Sequence, residues 1–219
     1  KLPKPKLKLH QLIKRLMQQI SLDGQWLTPS KIICIGRNYV EHINELGNEI
    51  PTEPVIFIKP NSAITDVMTF DPQEDIHYEA ELTFVVQDGA LSGVGIGLDL
   101  TKRAVQSQLK VKGLPWERAK SFDGSAVLSN FVSIPGRIEE LSLELYINGE
   151  LTQLATFDLM LHKPNDILAE VSAFMTCEDG DLIMTGTPKG VGSIQLGATF
   201  MARVLSKQQT ILENTWKVK

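Results

Sequence analysis

Cysteine is scarce. There are two in 219 residues, Cys34 inside the apolar run "KIICIG" and Cys177 in "FMTCEDG". A disulfide framework is thereby excluded, and buried or incidental thiols in a reducing cytoplasm are expected. No apolar run approaches the roughly 20 residues a membrane-spanning helix needs, nor does a signal-peptide core appear, so no membrane partner is expected. Positive charge is not in excess: 22 Lys and Arg against 26 Asp and Glu give a net charge of −4, so no nucleic-acid partner is expected. The four histidines form no H-E-x-x-H pair, which argues against zinc. In the glycine-rich stretch "TGTPKGVGS" Lys189 precedes Gly190 instead of following the last glycine, which excludes a phosphate loop. A tight backbone turn lining a pocket remains, with Thr187 as a candidate ligand contact.

Hydrophobic residues make up 42% and charged residues 22%, the balance of a globular protein long enough for one large domain. Residues 1–15 hold six basic side chains and no acid. Leu9, Leu12, Ile13, Leu16, Met17 and Ile20 then follow helical spacing, so 1–30 reads as a basic arm with an amphipathic helix, packed on the body or on a partner subunit. From residue 31 strands dominate: "KIICI", "PVIFIKP", the run 76–86, and an alternating pair around Asn148-Gly149, a strong hairpin signal. Short helices are expected over "YVEHINEL", "TKRAVQSQLK" and "PNDILAEVSAFM", the last burying Ile167, Leu168, Val171, Phe174 and Met175. "DLIMTGTPKGVGS" reads as a strand ending in the glycine loop, and further short strands finish the chain. These elements form one β-dominated α+β domain over 31–219.

The run "IHYEAELTFVV" carries Glu79 and Glu81 two apart. In one continuous strand they share a face with His77, Thr83 and Val85, from Cα atoms about 6.5–7 Å apart. A half-solvated strand explains an ordinary E-x-E, but the run holds no lysine or arginine to pair with either acid. Two carboxylates about 4 Å apart repel by about 4 kcal/mol at an effective dielectric near 20, which a proton or a cation relieves.

Other residues supply partners for such a site. Asp99 in "GIGLDLTKR" either caps the following helix or adds a third hard oxygen donor, a set that suits Mg²⁺ or Mn²⁺. His42 and Glu45 stand three apart, so on a helix they share a face, as a solvated pair or as an imidazole base oriented by a carboxylate. Arg103 and Gln106 are likewise three apart. Lys120 follows in "LPWERAKSFDGS", where Trp116 can wall a pocket.

Taken in order, "GRNYVEHINELG", "PVIFIKP", "HYEAEL", "LDLTKRAVQ", "GLPWERAKSFDGS" and "TGTPKGVG" resemble the fumarylacetoacetate hydrolase family, with the small acylpyruvase and oxaloacetate decarboxylase members most similar. The resemblance implies a mixed β-roll of the family's catalytic-domain type with a few short helices, and a homodimer. It implies Mg²⁺ or Mn²⁺ on Glu79, Glu81 and Asp99, a His42–Glu45 dyad, and Lys120 serving the negative charge that develops on the substrate. Arg103, Gln106, Thr187 and Lys59 are implied pocket residues. Two departures stand out: Ala104 occupies a position commonly held by aspartate, and the connection from Val86 to Gly95 is short where relatives fit a helix.

The chemistry implied is cleavage between C3 and C4 of a 2-oxo or 2,4-dioxo acid through a pyruvate enolate. Acylpyruvate hydrolysis, oxaloacetate decarboxylation and dienoate isomerisation all use that species. A non-catalytic metal-dependent binding protein, or a nucleic-acid or anion-binding role for the basic arm, are the readings from other classes.

Overall fold

The computed structural model describes residues 17–45, 47 and 51–219. The basic arm and most of the expected N-terminal helix therefore lie outside the described residues. Ile20, the last apolar residue of that helical pattern, instead begins a strand. Ile20–Leu22 and Gln25–Leu27 form a hairpin whose turn uses Asp23 and Gly24, both at positive φ. Ile20 and Leu22 pack with Ile32, Val85 and Phe131.

Among the described residues, eight strands make a mixed sheet. In order they are Val55–Pro60, Lys31–Gly36, Leu182–Met184, Ala80–Gln87, Ala90–Asp99, Ala126–Leu128 and Ile64–Thr65, with Val132–Ser133 paired on the first half of Ala90–Asp99. Leu182–Met184 runs parallel to Lys31–Gly36 and antiparallel to Ala80–Gln87. A four-stranded antiparallel sheet (Glu150–Thr156, Leu141–Ile147, Thr199–Ser206, Gln209–Lys217) packs against it. Leu82, Phe84, Ile96 and Leu98 from the first meet Leu143, Leu145, Phe200 and Val204 from the second. The closing strands are long, not short, because each pairs along its length with its neighbour.

Four helices are described: α1 Val40–Glu45, α2 Arg103–Val111, α3 Glu117–Lys120 and α4 Pro164–Ser172. In α4, Ile167, Leu168 and Val171 cover Ile33, Ile35 and Ile183. Phe174 lies beyond the helix end and is 61% exposed, so helical spacing overreached there.

One expectation changes around the E-x-E run. It is not one strand: Ile76–Tyr78 joins a small sheet with Thr101–Lys102 and Gly192–Ser193, Ala80–Gln87 joins the large sheet, and Glu79 sits at the break. Thr83 and Val85 are fully buried, so the face the glutamates belong to turns inward. The short connection is explained by Asp88-Gly89, both at positive φ, closing a two-residue turn that pairs Gln87 with Ala90. Strand Ala90–Asp99 then carries glycines 93, 95 and 97 on one face. A Cβ at 93 or 95 would meet Leu22 or Phe131 at 2.6 Å, so their absence lets the N-terminal hairpin and Phe131 lie flat on the sheet.

Candidate metal centre and cleft

Asp99 reaches the glutamates through strand register. Ala80 faces Leu98 and Glu81 faces Gly97, and across the break the Asp99 N–H donates to the Glu79 carbonyl at 2.8 Å. The three side chains converge: one carboxylate oxygen from each lies within 4.8 Å of the others, and exposures are only 6%, 1% and 1%. Asp99 does not cap a helix, because α2 begins beyond Thr101–Lys102 and its first N–H, from Arg103, donates to the Asp75 carbonyl.

Basic side chains surround this cluster. Lys120, at the end of α3, donates to Asp99 Oδ2 at 2.6 Å, Thr101 Oγ1 at 2.6 Å and Glu79 Oε2 at 2.9 Å. Arg103, opening α2, donates from Nη2 to Glu79 Oε1 and from Nη1 to Gln106 Oε1 at 2.8 Å. Lys59 Nζ lies 2.8 Å from Asp99 Oδ1, but Oδ1 receives no well-aligned hydrogen bond. Burial opposes ionisation of Glu79, yet Lys120 and then Arg103 hold its carboxyl well below the usual range. Burial, then Asp99 and Glu79, push Glu81 well above it. Among the described residues Glu81 has no cation partner, only the Gly186 N–H at 2.7 Å. Burial would lower the Lys120 ammonium, but Asp99 and Glu79 raise it, so Lys120 stays charged.

Three buried hard-oxygen donors, with Glu81 lacking a cation among the described residues, fit a small divalent cation completed by further oxygen ligands. The donor set contains no nitrogen or sulfur, which disfavours zinc.

A cleft opens beside the cluster, lined by Arg37, His42, Phe57, Glu79, Arg103, Gln106, Lys110, Trp116 and Lys120 among others. His42 Nδ1 lies 3.1 Å from Glu45 Oε2 on α1, which leaves Nε2 as the other ring nitrogen. Glu45 also accepts the Gly190 N–H at 3.0 Å, so α1 is fastened to the glycine loop. That loop tolerates nothing but glycine at two places. Gly190 has φ +98° and a Cβ there would meet the Thr152 carbonyl at 2.2 Å; Gly186 has φ +92° and a Cβ would meet Asn38 Cβ at 2.8 Å.

Two expected pocket residues stand behind the cleft wall. Lys59 is fully buried, with its ammonium directed to Asp99 and to the carbonyls of Lys120 and Leu100. The Thr187 hydroxyl donates to the Ala80 carbonyl at 3.0 Å and accepts from Gln153 Nε2 at 2.8 Å, which leaves one acceptor lone pair on the oxygen. Sequence reasoning missed Gln153, which arrives from a distant hairpin with no local signal. It also missed Lys110, although Arg103, Gln106 and Lys110 share a helix face at i, i+3 and i+7.

Comparison with known proteins gives one answer at the family level. Residues 31–215 match the family model described as fumarylacetoacetate (FAA) hydrolase C-terminal. The chain is 40% identical over 186 residues to oxaloacetate tautomerase YcgM of Escherichia coli, covering 77% of this chain and 85% of that protein. It is 37% identical over 192 residues to a mitochondrial oxaloacetate decarboxylase of Dictyostelium discoideum, covering 78% and 87%. Among solved structures, fumarylpyruvate hydrolase from Pseudomonas aeruginosa in complex with Mn²⁺ and pyruvate superposes with TM-score 0.83 at 27% identity, covering 93% of this chain and 96% of the other.

Proposed function

The chain belongs to the fumarylacetoacetate hydrolase family, and from that premise we propose that it is a divalent-metal enzyme that enolises a small 2-oxo acid, with oxaloacetate its substrate. The observation that carries this is the buried carboxylate cluster within 4.8 Å, with Lys120 and Arg103 against it at a cleft that His42 also lines. The names of the relatives support oxaloacetate, while the pyruvate and Mn²⁺ of the fumarylpyruvate hydrolase structure support the 2-oxo acid class and the metal.

A magnesium or manganese ion held by Glu79, Glu81 and Asp99 would supply positive charge beside the substrate's carboxylate and keto oxygens, lowering the cost of an enolate. The side chains divide the remaining work. His42 takes a proton from C3 through Nε2, and Glu45, 3.1 Å from Nδ1, stabilises the imidazolium that results. As C3–H breaks, its electron pair forms the C2–C3 double bond and charge moves to the C2 oxygen. The Lys120 ammonium, its three N–H groups held by Glu79, Asp99 and Thr101, places a fixed positive charge beside that oxygen. The His42 imidazolium gives its Nε2 proton to that oxygen, which completes the enol and restores the neutral imidazole, and the reverse path returns the keto acid. Arg103 and Gln106, joined at 2.8 Å, present a planar donor face to the substrate's C1 carboxylate.

A second reading is hydrolysis of an acylpyruvate between C3 and C4, supported by the His42–Glu45 pair, which can activate water as well as receive a carbon-bound proton. Purified protein with Mg²⁺ or Mn²⁺ should interconvert enol and keto oxaloacetate, followed by the enol's ultraviolet absorbance. Parallel assays with acetylpyruvate and fumarylpyruvate measure the hydrolytic reading. Undiminished tautomerisation after exhaustive chelation, or no reaction with any of the three, defeats the proposal.

A further inference from the structure

The cations of the cleft fall into two groups. Those in its depth are each matched by an acid: Lys120 with Glu79 and Asp99, Arg103 with Glu79. Arg37 and Lys110 line the same cleft, half-buried, and neither makes an ion pair or hydrogen bond with any described residue. The Arg37 Nε is buried without a partner among the described residues. Lys110 Nζ stands 5.1 Å from the Trp116 ring centroid, a contact that selects a cation but neutralises nothing. Two described acids of α1 are committed elsewhere: Glu45 to His42 and Gly190, Glu41 to Lys189. Burial, then Arg37 and Arg103, lower the Lys110 ammonium to about 8, so these like charges act on one another across the cleft.

Two uncompensated cations in a partly desolvated cleft are costly unless a ligand brings negative charge between them. We propose that Arg37 and Lys110 form an anion subsite in the outer cleft that takes the second carboxylate of a dicarboxylic 2-oxo acid. This rests on the reading above and narrows its substrate class: the C1 carboxylate and keto group lie inward at Arg103 and Lys120, and the distal carboxylate lies outward. An acylpyruvate with an uncharged acyl end leaves the subsite empty-handed, so the two cations select for dicarboxylates over such substrates.

The test compares two stable ligands with the same chelating 2-hydroxy acid head. (S)-Malate carries a second carboxylate and (S)-lactate does not. With Mg²⁺ present, dissociation constants are measured by ligand-detected NMR for the unaltered protein, Arg37→Met and Lys110→Met. Malate should bind the unaltered protein more tightly than lactate. Each substitution should weaken malate at least about tenfold, the scale of one charge-assisted hydrogen bond, and lactate less than about twofold. Lactate binding and an unchanged melting temperature report an intact site. Should Arg37→Met melt early, Lys110→Met alone decides the matter. Equal weakening of both ligands, or no weakening of malate, overturns the subsite while the proposed function stands. If the unaltered protein binds neither ligand, the proposed function falls and the subsite with it.

Discussion

Gln153 donates from Nε2 to the Thr187 hydroxyl at 2.8 Å, and through that bond the four-stranded sheet holds the glycine loop in place. The same side chain donates to the Pro188 carbonyl at 3.0 Å and accepts the buried Ala80 N–H at 3.1 Å. Gln153→Leu should therefore cost about 1–3 kcal/mol in denaturant unfolding, since it strands a buried N–H and frees the loop. Faster hydrogen exchange at Ala80 and Gly186 should accompany the loss. An unchanged midpoint with unchanged exchange would show that the amide network contributes nothing.

Glu79→Gln removes one carboxylate of the cluster and leaves the apolar packing of Tyr78 and Ala80 untouched. Mn²⁺ affinity by calorimetry should fall at least about tenfold, with far-ultraviolet circular dichroism unchanged. Retained affinity would move the metal away from these three residues.

His42→Ala separates base chemistry from pocket shape. Exchange of the C3 protons of pyruvate into deuterium oxide reads enolisation alone, and it should slow by about 10²–10⁴-fold. Loss of CO₂ from oxaloacetate needs no proton removed from C3 and should suffer much less. Glu45→Gln should resemble His42→Ala more weakly. Equal losses in both reactions would reduce His42 to a residue that shapes the cleft.

Lys110 makes a pH prediction. Its folded-state value, about 8, lies below the ordinary 10.5, so between those limits the unfolded chain binds more protons and stability rises with pH. The uncompensated charge costs stability below about 8, and that cost disappears towards 10.5. Lys110→Met should melt higher than the unaltered protein near neutrality, with the gap closing as pH approaches 10.5. A constant gap would mean that packing, not charge, is responsible.

Asp181 supplies the acid-side counterpart. Its buried carboxylate accepts from the Ser30 N–H and hydroxyl at 2.9 and 2.7 Å, from the Glu178 N–H at 2.9 Å and from Lys31 Nζ. Burial would raise it, but Lys31, Ser30 and these N–H donors hold it below the ordinary 3.8. The stabilisation is present above 3.8 and is lost as pH falls through the depressed folded value. Asp181→Asn should destabilise near neutrality by about 2–3 kcal/mol. The difference between variant and unaltered protein should shrink in acid, and a pH-independent difference would contradict the ionic role.

The sequence by itself determined the features that depend on neighbours within a few positions. Asn148-Gly149 announces a turn because both central residues adopt positive φ, and the structure turns there. Helical spacing put His42 with Glu45 and Arg103 with Gln106, and both pairs are in contact. The hardness of the oxygen donors in E-x-E was legible too. What only the tertiary structure decided are the relations between distant strands. Asp99 meets Glu79 because of antiparallel register, which no local pattern encodes. The break at Glu79 arises because the chain there leaves one sheet for another, and alternation along the run cannot reveal it. That Lys59 meets Asp99, and that Thr187 meets Ala80 and Gln153, are likewise contacts between distant segments. Arg37 and Lys110 look like ordinary surface cations in sequence. Their lack of an acid among the described residues is a fact about the cleft, since a charge is matched or unmatched only by what the fold brings beside it.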